Sequence, residues 1–359
     1  MDIEDRMNLV QQVGEEIVTE DELKELLSNK KELVAYDGFE PSGNLHIAQG
    51  ILRTININKM IKAGFKFKMF VADWHGWANN KMGGDLEKIQ AVGKYQIEVW
   101  KACGMDLDKV EFIWGSDLVK DEQYWMTVMK IAINSTVKRI LRCSQIMGRS
   151  ESDALQASQI FYPCMQCADI FYLKADVCQL GMDQRKVNML AREIGPKLGW
   201  GKPVVVSHHM IMGLLPPKEG EYEDATERAI DMKMSKSKPD SAIFMTDTEE
   251  EIHRKISKAY CPEKQVEDNP LMEYAKYIIF EKFDTLKIER PEKFGGSIEI
   301  KGYDELVDIY ARGDLHPMDL KTAMASCINK LISPVREHFE KNKEARDLLE
   351  KVKSFEVTR

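Results

Sequence analysis

The period of apolar positions changes several times along the chain, and those changes outline its elements. Leu33-Val34-Ala35-Tyr36 is a short β-type run, Asp37 to Asn44 is turn-rich, and His46 to Ala63 carries helical apolar spacing. Phe67 to Ala72 reads as a second strand, followed by a helix around Leu86 to Cys103 that stops at Gly104. Val110 to Trp114, Val177 to Leu180 and Val204 to Ser207 read as further strands. Strands alternating with helices to about residue 245 predict an α/β fold, a parallel sheet with helices on both faces. The first 30 residues read as two polar helices, the second opened by a capping box from Thr19 to Glu22. Past the alternation, Glu249 to Lys258, Met272 to Phe283 and Met318 to Phe339 read as helices with little strand between them, a second and mainly helical domain.

The 359 residues suffice for roughly two domains, and 43% apolar against 31% charged residues allows a sizeable core and excludes global disorder. Acidic residues number 59 and basic ones 51, a net charge of −8. No overall basic field exists to capture nucleic acid, so any RNA contact must be local and geometric, and no DNA partner is expected. No window approaches 18 apolar residues without a charge, so no membrane span is expected. The start, Met1 to Arg6, is acidic and shows no secretory apolar region. Seven cysteines scattered through a large chain point to reduced thiols and a cytoplasmic location.

Three segments carry candidate chemistry. Tyr36 to Gly50 is a strand, a Gly/Pro turn and a helix start bearing His46, an arrangement that suits phosphate oxygens at the carboxyl end of a strand. Roughly 190 residues later, Lys233-Met234-Ser235-Lys236-Ser237 places two lysines three apart among small hydroxyls, a cationic loop able to follow charge onto a departing pyrophosphate. In Tyr162-Pro163-Cys164-Met165-Gln166-Cys167-Ala168-Asp169, Tyr162, Gln166 and Asp169 stand at i, i+4 and i+7 and share one helical face. One carboxylate with two neutral polar groups suits a ligand that has an ammonium and a hydroxyl. Cys164 and Cys167 lack a second ligand pair at zinc spacing, since Cys178 and His208-His209 do not supply it, so this C-x-x-C reads as helix packing and neither zinc nor another resident metal is expected.

The first two segments together resemble the H-I-G-H and K-M-S-K-S signatures of class I aminoacyl-tRNA synthetases. The second matches letter for letter; in the first, Ala48 and Gln49 replace the glycine and the second histidine. Gln49 still donates a hydrogen bond but carries neither charge nor an exchangeable proton for acid/base work. With Gly181-Met182-Asp183-Gln184-Arg185-Lys186, the third segment resembles the pocket of tyrosyl-tRNA synthetases of the archaeal and eukaryotic cytosolic type. The resemblance continues through Ala72-Asp73, Gly148-Arg149, Lys258 to Pro262, Arg290 to Gly296 and Leu315 to Asp319, nearly the whole chain.

The resemblance implies a Rossmann-type catalytic domain over 31–247, preceded by N-terminal helices over 1–30 and followed by a helical anticodon-binding domain over 248–359. It implies that Tyr36 and Asp169 hydrogen-bond a tyrosine phenol, that Tyr162, Gln166 and Gln184 hold its ammonium group, and that Glu40 is a further pocket position. His46, Gln49, Lys233, Ser235 and Lys236 would bind ATP, and His46, Gln49, Lys233 and Lys236 would carry the catalysis, with Mg²⁺ bridging the phosphate oxygens. Arg142, Arg185 and Lys186 would face the acceptor end of tRNA(Tyr), while Asp319 reads an anticodon base beside Phe294 and His316. A homodimer through the insertion at about 110–159 is expected.

Two rivals stand beside this reading. A tryptophanyl enzyme shares the fold and both signatures, though the Tyr36/Asp169 pair fits a phenol better than an indole. An RNA-binding protein that has lost activation would explain Ala48 and Gln49, but not the intact lysine loop. Finally, Lys218 to Asp231 holds six acids against two bases and looks like an insertion in the active-site loop. It is expected to be mobile, either as a lid whose acids pair with Lys233 and Lys236 or as an inert extension.

Overall fold

The computed structural model describes residues 1–148, 155–217, 222, 225–234 and 239–355. Its main sheet has six strands: β1 Gly14–Val18, β2 Leu33–Phe39, β3 Phe65–Val71, β4 Val110–Trp114, β5 Val177–Gly181 and β6 Val204–His208, ordered β1-β6-β5-β2-β3-β4. All neighbours are parallel except β1, which runs antiparallel to β6 along the edge. Five of the strands stand where the apolar runs predict them. Val204, Val205 and Val206 are all buried, as a strand covered on both faces requires.

The chain builds β2, β3 and β4 outward in one direction, then returns to lay β5 and β6 on the other side of β2. Crossovers therefore leave β2 and β5 on opposite faces, and a crevice opens between their carboxyl ends.

Three expectations need revision. The first 30 residues do hold two helices, Ile3–Gln11 and Glu20–Asn29, and Thr19 and Glu22 exchange both capping-box hydrogen bonds at 3.3 and 3.2 Å. Between the helices lies β1, so this segment completes the sheet edge instead of standing apart. The helix expected from His46 opens with a wide π-helical turn over Ala48–Leu52, and regular α-helix runs from Arg53 to Lys62. In the helical region, Leu286–Ile288 (β7) and Ile298–Ile300 (β8) form an antiparallel pair, and helices Tyr303–Arg312 and Lys343–Lys353 add to those expected.

The helical region does not stand free of the sheet. A single apolar core runs from Val10 and Leu33 through Trp100 to Ile252, Ile328 and Val352. Helix Pro317–Lys341 packs on helices Glu249–Lys258 and Leu86–Ala102, where His338 meets Glu98 at 2.6 Å. At the junction, Lys255 is buried beside Asp247 at 2.6 Å, donates to the Ala242 carbonyl at 3.0 Å and lies over the Phe244 ring. Replacing Lys255 with alanine strands a buried carboxylate, and the expected loss of stability is about 3–5 kcal/mol, measured by urea denaturation. A loss within 0.5 kcal/mol, the usual range for surface positions, would mean that the junction reorganises around Asp247.

Candidate active site

A cavity of about 380 Å³ opens at the carboxyl ends of β2, β5 and β6. Its wall brings together Tyr36, Glu40, His46, Gln49, Tyr162, Gln166, Asp169, Gln184 and Lys233, residues drawn from segments up to roughly 200 positions apart. Ser235 and Lys236 lie outside the described residues. So do Arg149 and, in the acidic run, 218–221 with 223–224.

At the inner end the site is built on helix Ala157–Tyr172, whose face carries Tyr162, Gln166 and Asp169, all buried. Asp169 sits among apolar side chains, where an unsupported carboxylate is costly. Tyr124, from helix Glu122–Ile133, donates to its Oδ1 at 2.8 Å, and His75 Nε2 stands 3.0 Å from its Oδ2. Tyr36 rises beside it from β2, its phenol held protonated well above the usual range by burial and by the Asp169 charge. Gly38 is needed next to it: a Cβ there would fall 2.9 Å from the Tyr36 hydroxyl.

Glu40 and Tyr162 turn out to be partners. The Tyr162 hydroxyl donates to Glu40 at 3.0 Å, and Asn79 and Lys81 approach the same carboxylate at 3.1 and 3.3 Å. Gln166 Nε2 donates to Gln184 Oε1 at 3.0 Å, and Gln184 in turn donates to the Ile146 carbonyl at 3.2 Å. These bonds orient the amides so that each presents a definite edge to the cavity.

The outer end holds the charged groups. Lys233 pairs with Asp183 at 2.9 Å, where the lid alternative had placed acids of the 218–231 run. Burial would raise the Asp183 carboxyl, but Lys233 outweighs it and holds the pKa below the usual value. The described part of that run is not simply a mobile loop: Ala225–Met232 is a helix, and its Arg228 binds Asp268 at 2.7 Å. Asp37, fully buried in β2, lies 3.0 Å from Arg53 Nε, and burial lifts its pKa to about 6 against the lowering charge of Arg53. His208 pairs with Gln179 at 2.7 Å, and burial together with the Arg53 charge pushes its pKa down to about 4, so it is neutral at pH 7.

The proposed RNA contacts lie elsewhere. Arg142 is exposed and Lys186 half-buried. Arg185 is taken up by Glu16 of β1 at 2.6 and 3.0 Å. In the helical region Phe294 is exposed, His316 caps helix Pro317–Lys341 by accepting from the Met318 N–H at 3.1 Å, and Asp319 sits in that helix's first turn.

Sequence reasoning missed His75, Tyr124, Asp37, Arg53, Asp183 and His208. Asp37 had a signal, an acid inside the buried run Leu33 to Phe39, and Asp183 stands within a segment already singled out. Tyr124 had none, because only the packing of two helices brings it to Asp169.

Cys164 and Cys167 are buried on the cavity helix, and burial pushes the Cys164 thiol up to about 11, so both act as small apolar groups. Among the described residues no group of three His, Cys, Asp or Glu side chains is placed to hold a metal ion.

The profile of the family described as tRNA synthetases class I (W and Y) matches residues 28–333. A cytoplasmic tyrosine–tRNA ligase from Arabidopsis thaliana is 52% identical over 361 residues, covering 100% of this chain and 90% of the relative. The chain belongs to the tyrosine–tRNA ligases of the class I synthetase family. Among solved structures, the tyrosyl-tRNA synthetase of Pyrococcus horikoshii complexed with L-tyrosine matches with a TM-score of 0.90 at 40% identity, covering 98% of this chain and 100% of that one. The Leishmania major enzyme in complex with tyrosinol matches with a TM-score of 0.89 at 44% identity over 99% of this chain, which spans 52% of the Leishmania chain.

One contact links this ligase fold's cavity to its helical region. His209 stacks on Tyr277 and lies 3.3 Å from both Glu15 and Glu273, with Lys276 and His208 nearby. Burial pulls its pKa down, but the two carboxylates dominate and raise it from 6.5 to about 9. A raised pKa means that the charged form stabilises the fold; the contribution is complete below about pH 6.5 and is lost as pH rises through about 9. The difference in thermal midpoint between the unaltered protein and His209→Gln is therefore expected to be largest near pH 6 and to shrink by pH 9.5. A difference that grows with pH would contradict this charge assignment.

Proposed function

We propose that this chain activates L-tyrosine with ATP to tyrosyl-adenylate and transfers the tyrosyl group to the 3′ end of tRNA(Tyr). One observation carries the reading: a single cavity joins a buried phenol-sized polar end, Tyr36 with Asp169, to a charged end that contains His46 and Lys233. The amino-acid carboxylate attacks the α-phosphorus, the bond to the bridging oxygen breaks, and pyrophosphate leaves. The terminal ribose hydroxyl of tRNA then attacks the adenylate carbonyl, and AMP leaves. No protein atom becomes covalently attached; positioning and charge stabilisation supply the rate.

In this mechanism Asp169 accepts the phenol O–H, and the Tyr36 hydroxyl completes the polar end. The Tyr162 oxygen, polarised by donating to Glu40, and the free carbonyl edge of Gln166 receive the ammonium group, with Gln184 fixing the amide. His46, Gln49, Lys233, Ser235 and Lys236 hold the triphosphate. Lys233 must exchange Asp183 for phosphate, so part of its binding energy is realised only when nucleotide arrives. Mg²⁺ would supply neutralisation of charge on the triphosphate that these residues hold.

Arg142, Arg185 and Lys186 meet the acceptor end of tRNA(Tyr), with Glu16 as the group that Arg185 must leave. Phe294, His316 and Asp319 engage the anticodon. A homodimer forms through helix Glu122–Ile133, on which Met126, Met129 and Ile133 are exposed beside Val137, a run of apolar side chains that a partner would cover. The enzyme works in the cytoplasm; no helix among the described residues is long and apolar enough to cross a membrane.

Pyrophosphate exchange measured with tyrosine, phenylalanine and tryptophan tests the reading. Exchange with tyrosine at rates far above the other two is expected, because phenylalanine leaves both Tyr36 and Asp169 unpaired, and the indole N–H of tryptophan can pair with Asp169 but offers no acceptor to the Tyr36 hydroxyl. Equal rates with tyrosine and phenylalanine would sink the pocket assignment, and no exchange at all would favour an RNA-binding protein. A second measurement addresses Tyr124. Tyr124→Phe removes the donor that orients Asp169, so the preference for tyrosine over phenylalanine should fall by about tenfold, the equivalent of ~1.4 kcal/mol. An unchanged preference would mean that Asp169 is oriented without it.

A further inference from the structure

Arg53 and Asp37 stand on the cavity wall, and the mechanism above leaves them without a task. Asp37 is 1% exposed, no side chain donates a well-formed hydrogen bond to its carboxylate, and Arg53 Nε lies 3.0 Å from Oδ2. Arg53 Nη1 is likewise buried and donates to nothing. A buried ion pair kept for stability needs good geometry and further hydrogen bonds on its remaining atoms to offset desolvation. This pair has neither, and it faces the cavity rather than the core.

Local structure explains how an arginine reaches that wall. The wide turn over Ala48–Leu52, closed by the Arg53 N–H donating to the Ala48 carbonyl, advances the helix by one extra residue just before Arg53. Such turns recur at functional sites because they redirect the side chain that follows. Trp100 braces both sides of the turn: its Nε1 donates to the Gln49 carbonyl at 2.7 Å, and its ring lies 5.8 Å from the Arg53 guanidinium. Gln49, one turn earlier on the same wall, is neutral, and Lys233 is balanced by Asp183. Arg53 therefore brings a half-buried cation with an unused, buried Nη1 donor to the nucleotide end.

We propose that Arg53 binds the α-phosphate of ATP through Nη1, with the Asp37 charge 3.0 Å from Nε and the Trp100 ring keeping the guanidinium at the cavity wall. This rests on the reading of the site given above and adds a residue to it. A planar guanidinium offers paired donors that match phosphate oxygens, and a fixed one needs no reorganisation as charge builds on the attacked phosphorus. Asp37 is then a positioning residue, and Arg53 touches substrate.

Single-turnover formation of tyrosyl-adenylate separates this role from simple neutralisation of Asp37. Arg53→Gln should slow the step by about 10²-fold, the usual cost of removing one such donor, while the tyrosine Kd from fluorescence titration changes less than about twofold. The pair Asp37→Asn with Arg53→Gln removes both charges and leaves no stranded anion. If Arg53 acts on phosphate, this double variant keeps a near-native thermal midpoint and stays slow. Recovery of the unaltered rate in the double variant, or no slowing in Arg53→Gln, overturns the proposal. Absence of tyrosine-dependent exchange in the unaltered enzyme would instead defeat the underlying reading, so the two failures are distinguishable.

Discussion

A carboxylate buried against apolar side chains governs the inner half of this site. Asp169 is fully buried on a helix whose buried side mixes Cys164, Met165, Cys167 and Ile170 with the neutral polar Tyr162 and Gln166. In such surroundings a carboxylate is tolerated only if neighbours supply donors, so its position dictates where Tyr124 and His75 stand. Those two residues come from separate segments, Glu122–Ile133 and Asp73–Ala78, so two crossover regions are tied to one acid.

The outer half follows a different rule. There, charges are paired imperfectly or with partners that a ligand can replace: Lys233 with Asp183, Arg53 with Asp37, neutral His208 with Gln179. A site that must release pyrophosphate cannot bind it with fully committed groups. Both ends keep buried polar atoms without a hydrogen bond, Asp169 Oδ2 and His75 at the inner end and Asp37 with Arg53 Nη1 at the outer, so the cavity retains unused donors and acceptors along its whole length.

Most of the fold was legible because its signals are local. Five strands are runs of apolar residues, and the Thr19–Glu22 box announces its own helix. The edge strand β1 was hidden because Glu15 and Glu16 sit side by side in five residues, which masks any alternation, and β7 and β8 are three residues each. For the site, residues inside contiguous motifs were legible, and nine of them line the cavity. Tyr124 and Arg53 were not. The first depends on how two helices pack, and the second on a widened turn that apolar spacing reads as ordinary helix.

The core shared between sheet and helical region bears on how this protein can be taken apart. Ile252, Ile256, Ile328 and Val352 belong to the same apolar body as Trp100 and Leu33, and Arg336 donates to the Asp247 carbonyl at 2.9 Å across the junction. Cutting the chain near residue 247 would bare the flank of helix Leu86–Ala102, on which two C-terminal helices rest. The helical region is thus not a detachable module to be swapped between relatives. Grafting a different recognition surface onto this scaffold calls for changing the exposed first turn of helix Pro317–Lys341 while keeping its buried side intact.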